Sequence, residues 1–143
     1  MCIRDSYTPT NLIFAGLFEG AVFSQIFLSA AKAPLQRTGI VLVGLAGVSL
    51  VGNIAVMAVQ NTALNAIANN EFAAATLAPD YSLIIAFYAL AGLAAIVLDG
   101  WALRAATSTR TRFIMRIIAG VLAFAAVFAA RTVFYSLHMT IGF

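Results

Sequence analysis

The sequence predicts an all-α integral membrane protein with four transmembrane helices. Three observations predict it. Hydrophobic residues make up 63% of the chain and charged residues 9%, with a mean hydropathy of +1.00, whereas a soluble domain carries about 25% charged residues. Four apolar stretches approach the roughly 20 residues needed to cross hydrocarbon. Lys and Arg cluster in two of the three connecting segments, the asymmetry by which membrane proteins set their orientation. A net charge of +3 therefore needs no nucleic-acid partner. The single cysteine, Cys2, excludes an internal disulfide and any iron–sulfur cluster ligated by this chain alone.

The first six residues, Met1 to Ser6, have no apolar core that could serve as a signal peptide. They resemble the translation of an adapter used in preparing sequencing libraries, so residues 1–6 are expected to be an artefact and residues 7–143 the transmembrane domain. Thr8-Pro9-Thr10-Asn11 is polar and turn-prone, and Pro9 suits a helix start. The first span is expected at about 12–31. It contains Gly16 and Gly20 in a GxxxG pattern, continued by Ser24, a stripe that lets another helix approach closely. A basic loop with Lys32 and Arg37 leads to a second span at about 39–59, interrupted by Ser49 and Asn53. The segment from Gln60 to Tyr81 carries Glu71 and Asp80 but no Lys or Arg. Within it, Asn65 to Asn69 suits a short surface helix and Ala78-Pro79-Asp80-Tyr81 a turn. The third span is expected at about 82–98, ending at Asp99-Gly100-Trp101, with Trp101 fitting the aromatic belt. Arg104, Arg110, Arg112 and Arg116 form a second basic loop, and the fourth span is expected at about 113–138. The positive-inside rule then puts both basic loops in the cytoplasm and both chain ends outside.

At about 1.5 Å per residue, Glu19 lies roughly 10 Å inside the outer end of the first span. Asn53, Tyr88 and Arg131 lie at similar depth in the other three. Four helices thus each place a polar side chain in one layer. Arg131, Tyr135 and His138 follow the spacing i, i+4, i+7, so a helix carries them on one stripe. An arginine at membrane depth costs several kcal/mol on any scale, so it faces protein or water rather than lipid. Glu19 is the acidic residue at matching depth, and a Glu19–Arg131 pair is expected, with Asp80 the alternative partner and a member of the polar layer if the outer turn dips inward.

One histidine cannot supply the two axial ligands of a bundle-bound haem. No HExxH, phosphate-binding loop or Ser-His-Asp set occurs, so no metal or haem is expected on this chain. What remains is a polar pocket near Phe124, Phe128 and Phe134. That suits a quinone head group, whose oxygens need donors and whose oxidation needs proton acceptors; His138 and Glu19 are the candidates. The residues leave other readings open. Glu19 and Arg131 also read as a structural ion pair with Asn53 and Tyr88 satisfying spare hydrogen bonds, or as the lining of a path through a small transporter or channel subunit, and the chain as a plain membrane tether.

The ending Arg131-Thr132-Val133-Phe134-Tyr135-Ser136-Leu137-His138-Met139-Thr140-Ile141-Gly142 resembles that of the membrane-anchor subunit of dimethyl sulfoxide reductase, where Arg-x-x-Phe-Tyr-x-Leu-His-Met-Thr-x-Gly closes the last helix. Leu77-Ala78-Pro79-Asp80-Tyr81 resembles the outer turn before that family's seventh helix, and Thr8-Pro9 the opening of its fifth. The resemblance implies that this chain is the second half of an eight-helix anchor in a bacterial cytoplasmic membrane. It also implies that the protein oxidises menaquinol and passes electrons to an iron–sulfur subunit, which feeds a molybdopterin catalytic subunit. By position it carries over Arg131, Phe134, Tyr135, His138, Gly142, Asp80 and Tyr81. Glu19 belongs to no quoted family pattern and rests on the depth argument alone.

Overall fold

The computed structural model describes residues 7–34, 36–66, 80–104 and 108–141, without the side chains of residues 7, 64–66, 133–134 and 136–141. Residues 1–6, most of the surface helix expected near Asn65–Asn69, and Gly142 lie outside the described residues. Among the described residues four helices form: α1 (Tyr7–Ala30), α2 (Gln36–Ala66), α3 (Tyr81–Arg104) and α4 (Thr109–Ile141). Each is long and apolar enough to cross a membrane. In ring order, α1 packs on α2 and α4, and α3 packs on α2 and α4, while α1 and α3 meet only briefly across the diagonal.

Every helix exceeds its expected span, because polar ends that a hydropathy reading trims are helical too. Pro9 sits in the first turn of α1, where its missing N–H would have no intrahelical partner anyway. The last turns of α2 keep Gln60 and Thr62, and Thr62 donates its hydroxyl to Val59 O at 2.7 Å. Asp80 occupies the N-cap of α3, its carbonyl accepting from the Ile84 N–H at 3.0 Å, and its carboxylate suits the positive end of the helix dipole. Ser108 caps α4 through the Thr111 N–H at 3.2 Å.

The link between α1 and α2 is set by a C-terminal cap. Ala33 N–H bonds Leu28 O at 3.0 Å and Lys32 N–H bonds Ser29 O at 3.1 Å, the paired bonds of a Schellman motif. Lys32 takes the left-handed position at φ 53°, where glycine is usual, and Pro34 follows to stop the helix.

The core inverts the soluble pattern. Its buried positions are largely alanines, among them Ala46, Ala95, Ala119 and Ala123, while Phe27, Val41, Val48, Leu83 and Leu90 are exposed. Lipid is as apolar as leucine, so burying large side chains gains little; small residues let helix backbones approach and gain dispersion instead. At Gly92 an added Cβ would lie 2.5 Å from Leu50 Cδ1, and at Gly52 it would lie 2.7 Å from the Phe14 ring. At Gly16 and Gly20 an added Cβ meets nothing within 4 Å, so the GxxxG stripe lies outside the packing of these four helices.

Candidate functional site

The four residues of the expected polar layer converge. Asn53 on α2 donates its side-chain amide to the Tyr88 hydroxyl on α3 at 2.8 Å, and both are buried. Phe18 packs edge-on against the Tyr88 ring, with centroids 6.1 Å apart. Next to Phe18 in sequence, Glu19 turns to the neighbouring face of α1, where it is half-buried. Arg131 and Glu19 both act electrostatically on the Tyr88 hydroxyl.

Glu19 and Arg131 line one open groove of about 460 Å³ between α1 and α4. Its walls are apolar and aromatic: Leu12 and Gly16 from α1, with Phe124, Val127, Phe128 and Tyr135 from α4. The Phe124 and Phe128 rings stack with centroids 6.1 Å apart and planes 21° from parallel. The expected direct ion pair is not formed: among the described residues no carboxylate–guanidinium contact within 4.0 Å joins Glu19 to Arg131. Glu19 leaves α1 towards the groove, and its charge meets that of Arg131 across it rather than in contact.

The remaining candidates fall as follows. Tyr135 is exposed at the groove. His138 lies on the same helix, since α4 runs unbroken to Ile141, but the side chains of His138 and Phe134 are outside the described residues. Asp80 is exposed at the N-cap of α3 and does not join the layer.

Arg131 also reaches inward. It lines a second, half-open cavity with Asn11, Asn53, Gln60 and Tyr81. Gln60 Oε1 accepts from Asn11 Nδ2 at 2.9 Å and from the Tyr81 hydroxyl at 3.2 Å, tying α1, α2 and α3 together at this end of the bundle. Asn11, Gln60 and Tyr81 lie at the polar ends of their spans, and nothing in their spacing signals this network.

A further polar group lies towards the end that carries the basic links. Gln25 Nε2 of α1 donates to Asp99 Oδ2 of α3 at 3.2 Å. One turn along α1, Ser29 Oγ accepts from Arg116 of α4 at 2.9 Å. Asp99 and Arg116 interact electrostatically, and Gln25, Asp99 and Arg116 are all buried. Arg116 is thus part of the bundle interior rather than of the basic loop where the sequence placed it, and Asp99 lies inside α3 rather than beyond its end. The i, i+4 spacing of Gln25 and Ser29 within an apolar span was the available signal.

Among the described residues, four antiparallel helices of spanning length, with polar side chains gathered inside the bundle and along a lateral groove, define a multi-pass membrane protein. A family model for the DMSO reductase anchor subunit (DmsC) matches residues 3–137, and the chain belongs to that family. Membership implies association with a DMSO reductase complex and with the membrane. Nothing among the curated proteins or the solved structures matches this chain.

Proposed function

We propose that this anchor oxidises menaquinol in the groove between α1 and α4 and passes the electrons to an iron–sulfur subunit, which feeds a molybdopterin catalytic subunit in anaerobic respiration. The observation that carries the reading is the composition of that groove. It is open at the lipid-facing surface and apolar along most of its wall, and it gathers one carboxylate, one guanidinium and one phenol beside stacked phenyl rings. A quinol has matching parts: a flat ring for Phe124 and Phe128, and two oxygens for polar groups.

On oxidation each quinol hydroxyl loses its proton and the ring loses two electrons, giving the quinone. Arg131 donates hydrogen bonds to a quinone oxygen and orients it. Glu19, uncommitted to a contact ion pair, accepts a proton. Tyr135 borders the same groove, and His138, two turns beyond Arg131 on the same stripe, is the second acceptor. A bacterial cytoplasmic membrane is the setting that the family favours, and the charge asymmetry favours both ends of this chain on the outer side. A transport path finds less support, because the half-open cavity of about 30 Å³ has room for only about two waters.

Photolabelling with an azido-menaquinone analogue tests the reading in the assembled complex. Crosslinks are expected on α1 near Leu12–Glu19 and on α4 near Phe124–Tyr135, and Arg131→Gln is expected to weaken them. Labelling confined to other surfaces would leave the chain a structural tether.

A further inference from the structure

The half-open cavity beside the groove contains a polarity mismatch. Asn53 Nδ2 bonds Tyr88, and Asn11 Nδ2 bonds Gln60. The other amide atom of each, Asn53 Oδ1 and Asn11 Oδ1, is buried without a hydrogen-bond partner among the described residues. Turning either amide round does not remove the mismatch, since one of its two polar atoms would still need a partner. Both residues line the cavity, and so does Arg131. The guanidinium in turn has no contact ion pair with Glu19, the carboxylate that lines the same groove. A buried amide oxygen left unmet costs about 1–3 kcal/mol, and an unsolvated arginine more.

We infer that this cavity is a water-binding site that solvates Arg131 from inside the bundle. The size fits: about 30 Å³ is open to water centres, and one water needs about 10–15 Å³ of such space. The chemistry fits as well. Between them, two waters accept from the Arg131 guanidinium and donate to both unmet amide oxygens, within the two to four bonds that a buried water makes. A halide would find two carbonyl oxygens opposing it, and a metal cation would meet the arginine charge, so neither suits this lining.

Hydration of the cavity explains how Arg131 is kept at the wall shared by cavity and groove without the carboxylate of Glu19. Hydrogen bonds from inside hold the guanidinium, and Glu19 stays unpaired on the groove side. The hydration stands on the cavity alone; its value in leaving Glu19 free as an acceptor rests on the quinol reading.

Met57 supplies a reporter, being buried and part of the cavity lining. Radiolytic hydroxyl labelling of the protein in its native membrane modifies buried side chains that contact bound water. Met57 is expected to be labelled, and Ala15→Val, which fills the cavity without removing a polar atom, is expected to reduce that labelling to background. Ala130→Val fills the cavity from α4 and serves if Ala15→Val does not fold. An unlabelled Met57 in the unaltered protein, or labelling that survives both fillings, overturns the inference. Binding of a menaquinone analogue, measured alongside, is expected to weaken in the filled variants. Absent binding to the unaltered protein would count against the quinol reading and leave the Met57 result standing.

Discussion

Gln25 of α1 donates a side-chain N–H to Asp99 of α3 at 3.2 Å across the diagonal of the bundle, and both side chains are buried. Helices α1 and α3 otherwise meet only briefly, where Phe18 packs on Tyr88. The bond and that contact therefore fix the separation of two helices that pack little on one another, and Arg116, bonded to Ser29, places a compensating charge near the bond.

Asp99→Leu is expected to lower stability by about 1–3 kcal/mol, because it removes the Gln25 partner in a water-poor interior. Asp99→Asn keeps an acceptor for the Gln25 amide and is expected to lose less. Denaturant titration in detergent micelles measures both, and a Leu variant as stable as the unaltered protein would remove Asp99 from the architecture.

Glycine substitutions separate packed from unpacked faces. Gly52→Ala brings a methyl within 2.7–3.1 Å of three Phe14 ring atoms, and a stiff ring on a packed helix yields poorly. A loss of about 1–3 kcal/mol is expected. Gly16→Ala and Gly20→Ala meet nothing within 4 Å, so the better helix propensity of alanine is expected to leave the isolated chain unchanged or more stable by about 0.5–1 kcal/mol. Thermal unfolding of the three single variants reads the contrast, and a Gly52→Ala protein no less stable than Gly16→Ala would contradict the α1–α2 packing.

Glu19 and Arg131 are expected to matter more for turnover than for folding. Neither is deeply buried and they do not touch, so their coupling in a double-mutant stability cycle is expected below about 1 kcal/mol. A contact pair in the interior would instead show about 3–5 kcal/mol on losing one partner. In the assembled complex Glu19→Gln is expected to slow quinol oxidation by about 10²-fold or more, as removal of a proton acceptor does. Normal turnover by Glu19→Gln would shift that role to His138.

Topology is open to a direct check. With Cys2→Ser as background, single cysteines at Lys32 and Arg110 are expected to react with an impermeant thiol reagent from one side of the membrane and a cysteine at Asp80 from the other. Reaction of all three from one side would mean that the number of spans is wrong.

The sequence alone determined the class of this protein, its four spans and the pairing of its two basic links. These follow from the free energy of moving apolar and charged groups between water and lipid, which depends on composition and order along the chain and on nothing further away. The layer of Glu19, Asn53, Tyr88 and Arg131 was legible for the same reason: helical rise converts sequence position into depth. Depth says nothing of rotation about the helix axis. These helices are apolar nearly all round, so no amphipathic stripe tells which face turns inward. Only the tertiary structure decided that Glu19 and Arg131 share a groove without touching, that Arg131 also faces a half-open cavity, and that Asp99 and Arg116 turn inward rather than to the membrane surface. Those outcomes depend on how alanine and glycine faces let the helices close on one another, a sum of many small contacts that no local pattern in the chain encodes.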